Sequence, residues 1–142
     1  MGMIYEDLVL KNSWDVTNAH RGIISESQIR QVNVNALVDT GAFYMIITEE
    51  VCKELGLEKR YNKVISLADN KNVDCKITEP VEIHWKDRVV SMDTYVLPGS
   101  DEVLMGALPL EAMDLIIDPK NQRLIGAHGD EMLIRVPTVY PR

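Results

Sequence analysis

Apolar residues in this chain occur mostly in short segments separated by polar turns. Residues 32–36 and 81–85 alternate apolar with polar side chains, which is typical of strands buried on one face. Residues 36–38 are apolar without interruption, which indicates a strand buried on both faces. The pattern predicts short strands near residues 5–10, 32–38, 42–47, 64–68, 73–77, 81–85, 89–97, 103–106, 115–118, 123–126 and 132–136.

Helical signals are few. Thr48 is suited to cap a short helix, and Gly56 is placed to end it. Residues 109–113 suit a second helix with proline in its first turn, whereas the polar, mixed residues 13–22 predict a loop. The pattern therefore predicts a mainly β protein with one or two short helices, folded as a single domain over residues 1–142.

Composition narrows the possible functions. The 142 residues carry 15 Lys and Arg against 22 Asp and Glu, a net charge of −7, which argues against a nucleic acid or an anionic membrane as partner. Two cysteines, Cys52 and Cys75, are a poor disulfide framework, so we expect two packed thiols. No apolar run is long enough to span a bilayer, and the first residues show no signal-peptide pattern. A cytoplasmic protein is therefore expected.

The strongest chemical signal is Asp39-Thr40-Gly41, which directly follows the apolar segment 36–38. A buried strand is a rigid element from which to present a carboxylate, and a glycine lets a substrate or a second backbone come close. The same tripeptide after a strand can also be a simple turn in which the aspartate bonds the backbone. The three residues by themselves leave both interpretations open.

The run at residues 36–42, Ala-Leu-Val-Asp-Thr-Gly-Ala, resembles the active-site loop of retropepsin-like aspartic proteases. Residues 103–106, Val-Leu-Met-Gly, resemble the apolar-apolar-glycine segment that closes the crossed loop structure of that family. Residues 110–119 are similar to the helix and exit strand of its bacterial single-domain members. The likeness extends over about residues 32–125, and the order of the three blocks is more specific than any one of them.

The resemblance implies a closed β-barrel of the retropepsin-like acid protease type that works as a homodimer, with one Asp-Thr-Gly per subunit. The implied activity is that of an aspartic endopeptidase, in which a water is activated between two Asp39 carboxylates, without cofactor or metal. Thr40 would hydrogen-bond across the interface, while Gly41 and Ala42 would let the backbone of a peptide or protein substrate pass close. The resemblance suggests terminal strands for the interface, and residues 4–10 and 132–136 are the candidates.

A hairpin at residues 67–73 is the candidate for the flap that covers the substrate in this family, and Leu67, Ala68, Asp69 and Asn70 are the expected substrate contacts. Its tip, Asp-Asn-Lys-Asn, has turn chemistry but lacks the glycine of retroviral flaps. A plain surface hairpin therefore stays open as the alternative.

A second class of function also stays open, namely a non-catalytic relative that binds peptides or proteins in the same groove. The bulky Phe43 departs from the small or polar residue that the family often has there, and could narrow a subsite or simply pack. His20, His84 and His128 are far apart in the chain and fit no zinc-ligand spacing, so no metal site is predicted.

Overall fold

The computed structural model describes residues 2–67 and 69–133. Within these residues the chain forms nine strands, three short α-helices and one 3-10 turn. The elements in chain order are β1 (Ile4–Asn12), α1 (Ser13–His20), the 3-10 turn (Glu26–Gln28), β2 (Gln31–Val38), β3 (Met45–Ile47), α2 (Glu49–Glu54), β4 (Lys59–Ser66), β5 (Asn72–Trp85), β6 (Arg88–Val96), β7 (Leu104–Met105), α3 (Ala107–Ala112), β8 (Leu115–Asp118) and β9 (Arg123–Gly126).

Six strands form a closed barrel. They are hydrogen-bonded in the order β1-β2-β7-β3-β6-β5, and a further pairing of β1 with β5 closes the ring. Within the described residues, β4 pairs only with β5 and lies outside the ring, while β8 and β9 form a separate two-stranded hairpin. The expectation of a mainly β, closed barrel is confirmed, with α1 as a third short helix beside the two predicted.

The alternation of side chains along the barrel strands separates two hydrophobic clusters. We call the larger one the barrel core, and its members come from all six barrel strands and from α2, α3, β8 and β9. It consists of Ile4, Leu8, Leu10, Ala36, Val38, Met45, Ile47, Val51, Cys52, Leu55, Leu57, Val81, Ile83, Trp85, Val96, Val103, Met105, Leu110, Met113, Leu115 and Leu124. We call the smaller one the hairpin cluster, and its buried members are Ile46, Ile65, Cys75 and Tyr95. Both cysteines are free and buried, as expected.

β5 joins two of the predicted strands into one element of 14 residues. Its pairing with β6 is irregular between Ile77 and Pro80, because proline has no N–H to donate to the ladder. The side chains of Thr78 and Thr94, buried at this point, hydrogen-bond each other at 2.6 Å. A break in the apolar pattern therefore marks an irregularity within one strand and not the end of it.

The loop predicted over residues 13–22 is wrong, because residues 13–20 form α1. The helix has almost no apolar face, and its start is fixed by the buried Asn12, whose Oδ1 accepts from the Asp15 N–H at 3.1 Å. Asp15 in turn accepts two hydrogen bonds from the Arg30 guanidinium, at 2.8 and 3.0 Å. Polar contacts with distant residues hold this helix, so hydrophobic periodicity could not reveal it.

The strand predicted over residues 42–47 is shorter, because β3 contains only Met45–Ile47. The carbonyls of residues 42–44 accept hydrogen bonds from N–H groups of residues 106–108, and these bonds hold that segment out of the sheet. The strand predicted over residues 132–136 lies mostly outside the described residues, and Met132 and Leu133 are not in a strand.

The other helix boundaries agree with the sequence. Thr48 caps α2 by accepting from the Val51 N–H at 3.1 Å, and Gly56 follows the helix with a φ of +62°. α3 begins at Ala107, two residues before the predicted start, so that proline occupies its first turn. In the described part of the chain, no helix is long and apolar enough to cross a membrane.

A buried arginine adds polar contacts between the barrel and the β8–β9 hairpin, whose Leu115 and Leu124 belong to the barrel core. The Arg88 guanidinium donates to the carbonyls of Met113, Asp114 and Gly129, at 2.7, 2.8 and 2.6 Å. Gly126 leaves room for it, since a Cβ there would lie 2.2 Å from an Arg88 nitrogen. The arginine therefore joins the end of α3 and the loop after β9 to the start of β6.

Candidate active site

A crossed strand arrangement holds the Asp39 loop. The short β7 lies between β2 and β3, parallel to the first and antiparallel to the second. The Asp39 N–H donates to the Met105 carbonyl at 3.0 Å, and the Leu37 N–H donates to the Val103 carbonyl at 2.9 Å. The backbone before and at the aspartate is therefore fixed by a strand that arrives from a distant part of the chain.

The start of α3 closes this crossing. The N–H groups of the N-cap residue and of the first two helix residues donate to residues 42–44: Gly106 to Tyr44 at 3.2 Å, Ala107 to Ala42 at 2.9 Å and Leu108 to Phe43 at 2.7 Å. A Cβ at position 106 would lie 2.4 Å from the Tyr44 carbonyl oxygen, so only glycine allows this approach. The resemblance of residues 103–106 to a loop-closing segment is thus matched by their position.

Asp39 itself is half-buried and forms a tight turn. Its Oδ1 accepts from the Gly41 N–H at 2.9 Å, and its carbonyl accepts from the Ala42 N–H at 3.1 Å. In the part of the chain that the structure describes, no donor hydrogen-bonds to Oδ2. The turn expected from the tripeptide is present, and it leaves one carboxylate oxygen available to a water, a substrate or a second carboxylate.

A cavity of about 300 Å³ opens between the Asp39 loop and the β4–β5 hairpin. Of the predicted site residues, Asp39, Gly41, Ala42 and Leu67 line it. Thr40 faces the other side of the loop, and Asp69 and Asn70 lie at the hairpin tip, outside the cavity lining. Ala68 is outside the described residues.

The hairpin tip is closed without a glycine. Leu67 donates to the Lys71 carbonyl at 2.8 Å, and Asn70 donates back to the Leu67 carbonyl at 2.9 Å. Asn70 has a φ of 64°, a left-handed conformation that asparagine tolerates better than most residues. The hairpin tip therefore turns at Asn70, without the glycine that the sequence lacks there.

Three aromatic residues that are not among the predicted site residues lie at or next to the cavity. Tyr44, which lines the cavity, stacks on Tyr95 with ring centroids 4.1 Å apart, and Phe43 meets Tyr44 edge-on at 5.0 Å. Burial, and to a smaller extent the electrostatic effect of Tyr44, raise the pKa of Tyr95 to about 12, so its phenol stays neutral. Phe43 is 51% exposed, so it does not pack inside and is available to a ligand. No local pattern could have revealed the pair, because Tyr95 reaches the site through the pairing of β3 with β6.

The opposite side of the Asp39 loop is an apolar depression. Thr40 lines it together with α3 and β8, through Ala107, Leu110 and Ile116 among others. Ile116 is 48% exposed, and Glu111 is the one charged residue among the described residues of the lining. Thr40 therefore lies at the edge of a surface with few polar groups, separate from the cavity.

Histidines do not contribute to the site. His84 pairs with Glu82 at 2.7 Å, and His128 pairs with Asp114 at 2.8 Å. Among residues 2–67 and 69–133, no three His, Cys, Asp or Glu side chains come together as metal ligands would. Among the described residues that line the cavity, the carboxylate is that of Asp39.

The barrel, the crossed strands and the Asp-Thr-Gly loop beside a cavity define the class of retropepsin-like aspartic proteases. The family described as "gag-polyprotein putative aspartyl protease" matches residues 25–112, which is more than half of the chain, and the chain belongs to that family. Among curated proteins, no match to this sequence is found.

One of the similar solved structures has a TM-score above 0.5 and shows the same fold. The retroviral protease-like domain of Ddi1 from Leishmania major is similar with a TM-score of 0.54 and 17% identity, over 87% of each chain. A retropepsin-like aspartic protease from Rickettsia conorii is similar with a TM-score of 0.48 and 16% identity, over 83% of this chain and 89% of the other. The EIAV protease in complex with the inhibitor HBY-793 has a TM-score of 0.47 and 24% identity, over 56% of this chain and 76% of the other.

Proposed function

We propose that this protein is an aspartic endopeptidase that acts as a homodimer on extended peptide segments. The observation that carries the proposal is the placement of Asp39. It follows the end of β2, where Ala36 and Val38 are buried, is held by the crossing of β7 and α3, and opens onto a cavity bordered by the β4–β5 hairpin. A rigid carboxylate beside an apolar cavity suits cleavage between apolar residues.

The mechanism needs two carboxylates, and each chain has one Asp-Thr-Gly. Two Asp39 side chains about 3 Å apart would share one proton, as in aspartic protease dyads generally, because both cannot ionise at that distance. The ionised member takes a proton from the bound water, and the neutral member donates to the scissile carbonyl oxygen. The water attacks without a covalent intermediate, and the amine leaves with a proton from the dyad. The two titrations belong to the pair.

The apolar depression around Thr40 is the surface that we assign to the second copy. A twofold partner that brings a second Asp39 to the first must also approach Thr40 and the adjoining Ile116. The terminal strand β1 offers less, because it pairs with β2 over Ile4–Lys11 and with β5 over Val9–Asn12. This assignment puts α3 and β8 at the interface in place of residues 4–10.

The first experiment replaces Asp39 by Asn and compares both proteins on a peptide library from mildly acidic to neutral pH. We expect cleavage to fall by about 10²–10⁴-fold or more, since an amide cannot act as acid or base. Asp87→Asn, in the exposed turn between β5 and β6, is the matched control and should cleave like the parent. Equal cleavage by the parent and Asp39→Asn would refute the catalytic assignment.

The second arm measures association. Ile116→Glu places a charge on the proposed interface, so we expect a monomer by sedimentation that keeps its near-UV circular dichroism but loses cleavage. Val89→Glu, at a residue that is 40% exposed on β6, is the control and should stay dimeric. A parent that is monomeric and still cleaves at the full rate contradicts the dimer.

The alternative is a peptide-binding relative without catalysis, and the exposed Phe43 beside the Tyr44–Tyr95 stack favours it as an aromatic binding surface. A transition-state mimic of the pepstatin type separates the two functions. If it raises the melting temperature of the parent far more than that of Asp39→Asn, the enzyme is supported. Equal protection of both, with no cleavage by the parent, supports the binder.

A further inference from the structure

The exposed strand β4 carries three cations, and two of them are neutralised within the chain. Lys59 pairs with Glu49 at 2.5 Å, and Arg60 pairs with Asp93 at 3.1 Å. Lys63, the third, forms no ion pair with any residue in the ranges 2–67 and 69–133. It is also the member of the three that lines the cavity.

The side chain of Lys63 is directed toward the cavity. Its Nζ lies 5.6 Å from the centroid of the Tyr44 ring, which also lines the cavity, so the ammonium is placed over an aromatic face. This contact keeps the charge near the position where a ligand would lie and leaves its hydrogen-bond donors free. A cation–π contact of this kind is worth only about 0.5–1 kcal/mol at an exposed site, so a carboxylate can compete for the lysine.

The charges of the cavity are therefore simple. Among the described residues that line it (ranges 2–67 and 69–133), Asp39 is the one carboxylate and Lys63 is the one cation. Asp39 is committed to the proposed chemistry and to its contact with the Gly41 N–H. Lys63 thus gives a binding site for a negative charge on a protein whose net charge is −7 and which otherwise repels acidic peptides.

We propose that Lys63 selects substrates that carry a carboxylate side chain near the apolar residue in the cavity. In an extended peptide, side chains two residues apart share a face and are separated by about 6–7 Å, so the favoured acid lies two residues from the apolar one. The proposal rests on the proposed function, since it names the substrate class of that same site. Lys63 acts on binding and takes no part in the proton transfers.

The test uses quenched peptides with Leu-Phe at the centre, in which Glu or Gln occupies each flanking position in turn. The parent is compared with Lys63→Met, with the conservative Lys63→Arg, and with Lys120→Met in the exposed β8–β9 turn as a charge-matched control. We expect the parent to prefer Glu over Gln by about 2- to 5-fold in kcat/KM at one position, as for an exposed ion pair. The preference should appear in KM, shrink at high ionic strength, and persist in Lys63→Arg and Lys120→Met.

Loss of the preference in Lys63→Met alone supports the assignment. Equal use of Glu and Gln at every position, or a preference that survives Lys63→Met, overturns it. The same labelled peptides are also titrated against Asp39→Asn and against the Lys63 variants that carry Asp39→Asn as a second substitution. These proteins should bind the peptides without cleaving them. If the parent cleaves nothing, the proposed function fails, and these binding constants still decide whether Lys63 reads the acidic side chain.

Discussion

The barrel core and the hairpin cluster share strands but differ in what surrounds them. Met45 and Ile47 point into the barrel, whereas Ile46 between them belongs to the hairpin cluster. The barrel core lies within the ring of six strands and includes residues of α2, α3, β8 and β9, whereas the hairpin cluster lies beneath β4, an edge strand with one buried residue out of eight. The comparison indicates that the two faces of the same strands have different roles. One face forms a stable interior, and the other forms a less stable surface that is available for recognition.

The largest expected difference between the two clusters is in stability. Ile83→Ala in the barrel core removes a side chain with 0% exposure and should lower the free energy of unfolding by about 2–5 kcal/mol. Ile65→Ala, at an 8% exposed residue that also borders the cavity, should cost less in stability and raise KM for peptides. Urea unfolding and steady-state kinetics measure the two effects. Equal stability losses with unchanged KM for Ile65→Ala would show that the clusters are not distinct.

A smaller effect concerns the charge pair that holds α1 beside the barrel. The hydrogen bonds from Arg30 lower the pKa of Asp15 in the folded state, and this outweighs its partial burial. A lowered folded-state pKa gives stability that is present above the unfolded pKa of about 3.9 and lost as the pH falls through the folded value. Asp15→Asn should therefore cost about 1–3 kcal/mol at neutral pH and flatten the loss of stability below about pH 4.

Unfolding midpoints between acidic and neutral pH measure this effect. Asp87→Asn, in the exposed turn between β5 and β6, is the control and should leave the pH profile unchanged. Parallel pH profiles for the parent and Asp15→Asn would contradict the role of the pair. The hairpin cluster has no buried carboxylate in the described residues, so Ile65→Ala should leave the shape of the profile unchanged.

The smallest effect is one of opening rates. Each cluster contains one cysteine, Cys52 in the barrel core and Cys75 in the hairpin cluster, and burial raises the pKa of both thiols. Because opening an edge hairpin disrupts fewer contacts than opening the barrel, Cys75 should react first with a neutral thiol reagent. Mass spectrometry of labelled peptides gives the order, and an inhibitor bound in the cavity should slow Cys75 alone. Faster labelling of Cys52 would contradict the comparison.

Much of the fold could be predicted from local patterns. The Asp39 loop, the glycine at position 106, the cap at Thr48 and the β8–β9 hairpin each depend on a few consecutive residues, and the structure contains all of them. The helix α1 could not be predicted from the local pattern, because its Asp15 is held by Arg30, a residue outside the helix. Strand β3 was predicted too long because the N–H groups that bind residues 42–44 come from the start of α3.

The candidate site divides in the same way. Asp39, Gly41, Ala42 and Leu67 were predicted and meet at one cavity, because a motif and an adjacent hairpin can be found along the chain. Lys63 and Tyr95 were not predicted as site residues, because they come close to Tyr44 only through the strand pairing that positions β4 and β6.

The contacts of Arg88 have a consequence for self-association. Its three carbonyl acceptors belong to the turn after α3 and to the loop after β9, so one planar guanidinium holds both ends of the β8–β9 hairpin at the start of β6. An ammonium group at this position could not reach three acceptors in the same fork. If two subunits pair through Ile116, their alignment would thus depend on Arg88. This residue lies at the start of β6 and does not line the cavity beside Asp39.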